Sequence, residues 1–293
     1  MKKLFTLFVA LVALSLTVNA QEAKPQDPAK HQARVFPLPI EHLYFYSEIL
    51  NYDKNFTVYL PKSYTKETDR KYPVVYLLHG ANENDWEWAN IPGGMINEAI
   101  TKAVADGMAC EMVIVCPNAT EGTMGYFNRD NWKYEDYFFN ELVPFIESHY
   151  RVIADKGHRA IGGLSMGGGG SFTYGITHPD MFSSVYAMSA AVPSTLVKEE
   201  GGSPYGNTFS SGIDISSYSP EQLENIKTVH FVLDCGDDDF LFDANAACYQ
   251  AMKKAGFTCQ FRTRNGAHAS YYWYESLGEA LRWFTRHFSE QCK

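Results

Sequence analysis

The pentapeptide Gly163-Leu164-Ser165-Met166-Gly167 has the form G-x-S-x-G, a serine set between two residues that lack side chains. Glycine on both flanks permits a sharp turn that holds the serine in a strained backbone conformation and lifts its hydroxyl clear of the surrounding chain. With 22 glycines in 293 residues the bare pattern carries little weight, so its context decides its meaning. An apolar, strand-like run over 160–164 precedes it, Gly168 to Gly170 allow close backbone approach, and a helical stretch over 168–178 follows at once. Strand, tight serine turn and helix together describe an exposed nucleophile rather than an inert glycine-rich loop.

A serine hydroxyl is a weak nucleophile at neutral pH, so it needs a general base, and the base needs an acid to orient it. Where the serine lies on the turn between a strand and a helix, these groups follow the chain order serine, acid, histidine. Of nine histidines only His268 and His287 lie beyond the acidic cluster Asp237-Asp238-Asp239, and His287 belongs to a C-terminal helical stretch where a packing role suffices. His268, in the loop Asn265-Gly266-Ala267-His268 after the strand-like run 258–264, is therefore the candidate base. One aspartate of 237–239, which follow the run 229–235, is the candidate acid; the other two are expected to face solvent or cap a helix starting at Ala244. The spaced acidic pattern of a calcium loop is absent, and no cysteine or histidine spacing matches a zinc site, so neither a metal nor another cofactor is expected.

Hydrolysis through a serine also requires two donors aimed at the oxygen that becomes negative in the tetrahedral intermediate. The N–H of Met166 and that of Ala81, just past the run 74–78, are the candidate pair; His79 is read as a structural residue pinning that loop. Aromatic residues near strand ends are mostly core, but Trp86, Trp88, Tyr271 and Trp273 are candidates for clasping an aromatic or sugar ligand.

The elements that must position these groups follow from hydrophobic patterning. Strand-like runs recur at 56–60, 74–78, 112–116, 160–164, 184–188, 229–235 and 258–264, with helical stretches at 134–149, 168–178, 244–255 and 274–288 between them. This alternation predicts an α/β fold, a mostly parallel sheet with helices on both faces, in one domain over 40–293. Residues 193–220, rich in Ser, Gly and Pro, read as a long excursion from the sheet.

Residues 1–20 carry Lys2 and Lys3, an apolar run over 4–18 and Val18-Asn19-Ala20, the pattern of a secretory signal peptide cleaved after Ala20. The run is too short to span a bilayer, so a secreted or periplasmic protein is expected, with no membrane association after cleavage. Residues 21–39, polar and holding four prolines, are expected to be a mobile lead-in. The 45% hydrophobic and 20% charged composition excludes a disordered or multi-span membrane chain. A net charge of −9 without a basic block excludes a nucleic-acid partner. Six cysteines allow 15 disulfide pairings, and the apolar surroundings of Cys116, Cys235 and Cys259 favour buried free thiols.

Four separated segments, in order, carry a family resemblance: Tyr72-Pro73-Val74-Val75-Tyr76-Leu77-Leu78-His79-Gly80, Arg159-Ala160-Ile161-Gly162-Gly163-Leu164-Ser165-Met166-Gly167-Gly168, 235–241, and Gly266-Ala267-His268 with Trp273. Together they resemble the esterase family of α/β-hydrolases that includes feruloyl and acetyl-xylan esterases, S-formylglutathione hydrolase and the mycolyltransferases. The resemblance implies Ser165 as nucleophile, His268 as base and Asp239 as acid, with Asp238 in reserve. It implies an α/β-hydrolase fold and a serine carboxylic-ester hydrolase. For an exported chain the implied substrate is a small-molecule or oligosaccharide ester, foremost the feruloyl esters of plant cell-wall xylan. Acetyl-xylan or another short-acyl carbohydrate ester is the alternative. A catalytically silent protein of this fold, binding a glycan or a partner, would be expected to lack a triad member, and all three are present.

Overall fold

The structure, a computed structural model, describes residues 34–35, 40–90, 96–120, 125–193, 195–196 and 213–289. The leader 1–20, most of the lead-in 21–39, the middle of the 193–220 excursion and Cys292 lie outside the described residues.

Among the described residues nine strands form one sheet: β1 (Arg34–Val35), β2 (Ile40–Ser47), β3 (Tyr52–Tyr59), β4 (Val74–Leu78), β5 (Val113–Pro117), β6 (Arg159–Leu164), β7 (Ser184–Met188), β8 (His230–Asp234) and β9 (Cys259–Arg262). Their order is β1-β2-β3-β5-β4-β6-β7-β8-β9. From β5 through β9 every pairing is parallel, whereas β1, β2 and β3 add antiparallel strands at one edge. The mostly parallel α/β sheet expected from patterning is thus present, and with it the α/β-hydrolase fold that the resemblance implied; of the antiparallel extension, patterning read part of β3 in the run 56–60 and missed β1 and β2. The pairing of Arg34 with His42 and Val35 with Glu41 also corrects the lead-in at those two residues, which belong to the sheet.

The central strands are continuous apolar runs because both of their faces are covered; β4, β5, β6 and β7 are buried along their whole length. Alternate residues of β4 serve two cores. Val74, Tyr76 and Leu78 join a cluster with Phe172 and Tyr174 of the helix Met166–Thr177 and with Cys248 and Met252 of the helix Phe242–Lys254. Val75 and Leu77 face the opposite cluster, with Ile96 of the helix Ile96–Ala105 and Leu281 and Phe284 of the helix Ser270–His287. Strand direction therefore delivers the ends of β4, β6, β8 and β9 to the same carboxyl edge, where ligands meet sheets of this kind.

Cys116, Cys235, Cys248 and Cys259 are buried free thiols, and burial drives the Cys116 and Cys248 thiols well above their ordinary range. Among the described residues no helix is long and apolar enough to cross a membrane.

Phe172 anchors the helix that follows the serine turn: it is fully buried and meets Phe231 of β8 edge-on at 5.7 Å. Phe172→Ala is expected to destabilise the fold by about 3–5 kcal/mol, measured as a lowered midpoint of chemical denaturation with an unchanged slope.

Candidate active site

Ser165 stands between β6 and the helix Met166–Thr177 with φ 52° and ψ −115°, a conformation that costs a non-glycine residue about 1–3 kcal/mol. Backbone hydrogen bonds hold it there. Its N–H donates to Met188 O at 2.9 Å, and its carbonyl accepts from Gly169 and Ala191, each at 3.0 Å. The turn also needs the absent side chain of Gly167, where a Cβ would lie 2.4 Å from Leu78 O and 2.5 Å from His79 O.

The serine hydroxyl meets His268 Nε2 at 3.0 Å, and His268 Nδ1 meets Asp239 Oδ2 at 2.9 Å and Oδ1 at 3.0 Å. Asp239 is 4% exposed, and its Oδ1 accepts the Leu241 N–H at 2.8 Å. Burial alone would raise its pKa, but hydrogen bonds from His268, Ser189 and the Leu241 N–H outweigh burial and hold the carboxyl below the usual carboxylate range. Asp239 is therefore a carboxylate at neutral pH, suited to fixing the imidazole and stabilising it once protonated.

The other two aspartates are exposed, and neither caps the next helix, which starts at Phe242 rather than after Asp243. Asp237 ties the acid loop to the histidine loop instead: its Oδ1 accepts the Gly266 N–H at 3.0 Å, while the Asp238 N–H donates to Gly266 O at 2.9 Å. Gly236 makes the approach possible, since a Cβ there would lie 2.1 Å from Gly266 O.

His79 proves structural in a specific sense. The Ala119 N–H donates to its Nε2 at 2.8 Å, which leaves the proton on Nδ1, and Nδ1 donates to Gly80 O at 2.7 Å. Burial lowers its pKa to about 4, so the ring is neutral. The peptide unit joining Gly80 to Ala81 is trans and planar, so fixing its carbonyl toward His79 turns the Ala81 N–H the opposite way. Ala81 lines the cleft with Ser165. Met166 opens its helix, where the first N–H groups have no acceptor within the helix, and its side chain is buried.

The cleft has a volume of about 350 Å³. One wall is polar, formed by Gly80, Ala81, Glu83 and Glu87; the other is apolar, with Leu164, Ala191, Phe240, Leu241 and Trp273. Of the four aromatic residues expected to grip a ligand, Trp273 alone lines it, with its ring 5.0 Å from His268 and nearly perpendicular. Trp88 is a correction: it is fully buried in the core and donates from Nε1 to Leu78 O. Trp86 lies against His42, with ring centroids 4.8 Å apart, and is outside the cleft lining. Tyr271 is 54% exposed and outside the cleft lining, since the helix from Ser270 places residues 271 and 273 on different faces; its hydroxyl accepts the Ala267 N–H of the histidine loop at 3.1 Å.

Three contributors escaped sequence reasoning. Phe240, 70% exposed and 4.6 Å from His268, is signalled only by following Asp239 directly. Ser189, at φ 43°, accepts from Trp273 Nε1 at 2.9 Å and also bonds Asp239. Asp234 is buried and accepts from Tyr186 at 2.6 Å and Tyr272 at 2.7 Å, which fastens the last helix beside the histidine loop. No motif marks either of the last two.

Comparison with known proteins supplies the family. The model of a family described as putative esterase matches residues 47–284. The chain belongs to that esterase family. A solved ferulic acid esterase is 42% identical, covering 85% of this chain and 98% of its own, with a TM-score of 0.76. An endo-1,4-beta-xylanase/feruloyl esterase from Xylanibacter ruminicola is 28% identical over 87% of this chain, which spans only 32% of that longer protein. An acetyl esterase from Caldicellulosiruptor saccharolyticus is 24% identical, covering 85% of this chain and 99% of its own.

In this esterase the hydrogen-bonded order of the three side chains makes separable demands on them. Ser165→Ala should lower kcat for a p-nitrophenyl ester by about 10⁴-fold or more at unchanged thermal stability, because it removes a hydroxyl and opens no core cavity. Asp239→Asn should lower kcat by about 10³–10⁴-fold, and Asp238→Asn by under about threefold, since the Asp238 carboxylate touches neither Ser165 nor His268. Equal losses in the two aspartate variants would contradict the assignment.

Proposed function

We propose that this esterase is a feruloyl esterase, exported from the cell, that releases hydroxycinnamic acids from plant cell-wall xylan through an acyl-enzyme on Ser165. The observation that carries the reading is the continuous chain Asp239–His268–Ser165 opening into a cleft with one aromatic wall. His268 Nε2 takes the serine proton as Oγ attacks the ester carbonyl, and the carbonyl oxygen becomes an anion received by the N–H groups of Met166 and Ala81. The imidazolium, stabilised by Asp239, returns the proton to the departing sugar alcohol. Water, deprotonated by the same nitrogen, then releases the acid and restores the serine.

The apolar wall favours a flat acyl group. Phe240 and Trp273 flank His268 and offer ring faces and edges to a cinnamoyl group, which loses little conformational freedom on binding. The similarity to a ferulic acid esterase over 98% of that chain supports the same substrate class. A short-acyl reading has its own support, since the acetyl esterase relative corresponds over 99% of its length.

The test is the ratio of kcat/KM for methyl ferulate to that for acetylated xylo-oligosaccharides. The feruloyl reading expects methyl ferulate to be favoured by about tenfold or more; a reversed ratio replaces it with the acetyl reading. Phe240→Ala, a change at an exposed ring, should raise KM for methyl ferulate by about five- to tenfold while leaving p-nitrophenyl acetate hydrolysis nearly unchanged. Equal effects on both esters would remove Phe240 from acyl recognition.

A further inference from the structure

Glu87 is a cleft residue that the hydrolytic cycle leaves without a role. It lines the same cleft as Ser165, Ala81 and His268, and its Oε2 accepts the Gly80 N–H at 2.5 Å. Its own N–H donates to Asn84 O at 3.0 Å, which fixes the start of the short helix that carries it. Two successive peptide units are thereby held from opposite sides: Glu87 holds the N–H of Gly80, and His79 holds the carbonyl of Gly80. The next N–H along the chain is that of Ala81. Among the described residues lining the cleft there are two acids, Glu83 and Glu87, and no Lys or Arg.

We propose that Glu87 is a positioning residue that works as a neutral carboxyl beside the oxyanion hole, and that its ionisation shuts off ester hydrolysis on the alkaline side. The proposal rests on the acyl-enzyme mechanism above. A neutral carboxyl accepts the Gly80 N–H with its carbonyl oxygen and adds no charge to the site. A carboxylate at the same place puts a full negative charge next to the oxygen that becomes negative in the tetrahedral intermediate, which opposes the stabilisation that the two N–H groups provide.

The surroundings favour such a switch. Burial raises the Glu87 pKa to about 7; the Gly80 hydrogen bond opposes the rise, and the charge of Glu83 adds to it. On the same loop Asp85 is engaged by the Thr57 hydroxyl at 2.7 Å and lies 2.9 Å from His42 Nε2. The neutral His79 closes β4, while Cys116 of β5 and Tyr126 are both driven well above their ordinary ranges and stay protonated. Across the cleft stand Ser165 and His268. Ionisation of Glu87 sets the alkaline side of the profile.

The test follows kcat/KM from about pH 5 to about pH 9 with methyl cinnamate, a neutral ester without ionisable groups, in the wild type, E87Q and E83Q. The wild type should give a bell whose alkaline side falls by about tenfold per pH unit. E87Q, whose amide oxygen still accepts the Gly80 N–H, should keep activity near pH 6 within about threefold of wild type and then hold a plateau. E83Q should move the alkaline side to lower pH, because losing a neighbouring negative charge eases ionisation of Glu87. The proposal is overturned by a wild-type profile with no alkaline decline or by a decline that persists unchanged in E87Q. Should E87Q lack the native near-ultraviolet circular dichroism of the wild type, an unmoved alkaline side in E83Q overturns it instead. Failure to hydrolyse both methyl cinnamate and p-nitrophenyl acetate at every pH would overturn the esterase mechanism itself.

Discussion

The contact between the serine turn and the end of β4 governs the rest of the site. Gly167 lies so close to the Leu78 and His79 carbonyls that no Cβ fits, and this approach lets the chain reverse direction within one residue at Ser165. The same contact brings β4 and its loop beside the serine turn, so Ala81 and Ser165 line one cleft. The strain at Ser165 is balanced by three backbone hydrogen bonds to Met188, Gly169 and Ala191, drawn from β7, the following helix and the segment after β7. A side chain at position 167 would disturb the serine turn and the end of β4 together, because they are two sides of one contact.

A second theme is the use of neutral, buried groups to aim backbone dipoles. His79 donates to one carbonyl and accepts one N–H, and burial keeps it uncharged. Its ring orients the Gly80–Ala81 peptide without adding a charge to the cleft. On the opposite side Asp239 is kept charged by three hydrogen bonds even though it is buried. Two buried supports thus differ in charge: a carboxylate under the imidazole, and a neutral imidazole behind the Gly80–Ala81 peptide.

Much of this was legible in the sequence where local pattern and tertiary role coincide. The buried parallel strands read as apolar runs because each is covered on both faces, and β4 and β7 match their runs residue for residue. Ser165, His268 and the aspartate cluster 237–239 could be picked out by their order along the chain, whereas Asp239 was singled out within the cluster only by the resemblance. Less legible were elements whose residues face two environments. β2, with Tyr44 exposed between buried Leu43 and Phe45, offers mixed aromatic alternation, and the helix Ile96–Ala105 buries only one narrow face. Trp88 and Trp86 share a loop-like sequence with true cleft residues, and only the packing of the short helix Glu87–Asn90 against the sheet separates core from rim. Ser189 and Asp234 were invisible because a buried polar residue announces itself through partners distant in sequence.

Asp239, Phe240 and Leu241 are consecutive, yet they do three different things: the first holds the imidazole, the second and third form part of the cleft wall, and the third also donates its N–H to the first. The vocabulary of ligands this protein can acquire by mutation is constrained by that adjacency. A replacement at 241 reshapes the cleft wall within the segment whose backbone N–H supports Asp239, although that N–H itself is kept. Leu164 is similarly tied, as the neighbour of the serine and the residue whose Cδ1 a Cβ at Gly80 would meet at 2.8 Å. Ala191 carries a backbone bond to the serine but a small side chain at the cleft surface, and Phe240 projects outward. Of the residues in the apolar wall Phe240 is by far the most exposed, so its side chain can change with the least disturbance to the packed residues that hold the serine turn.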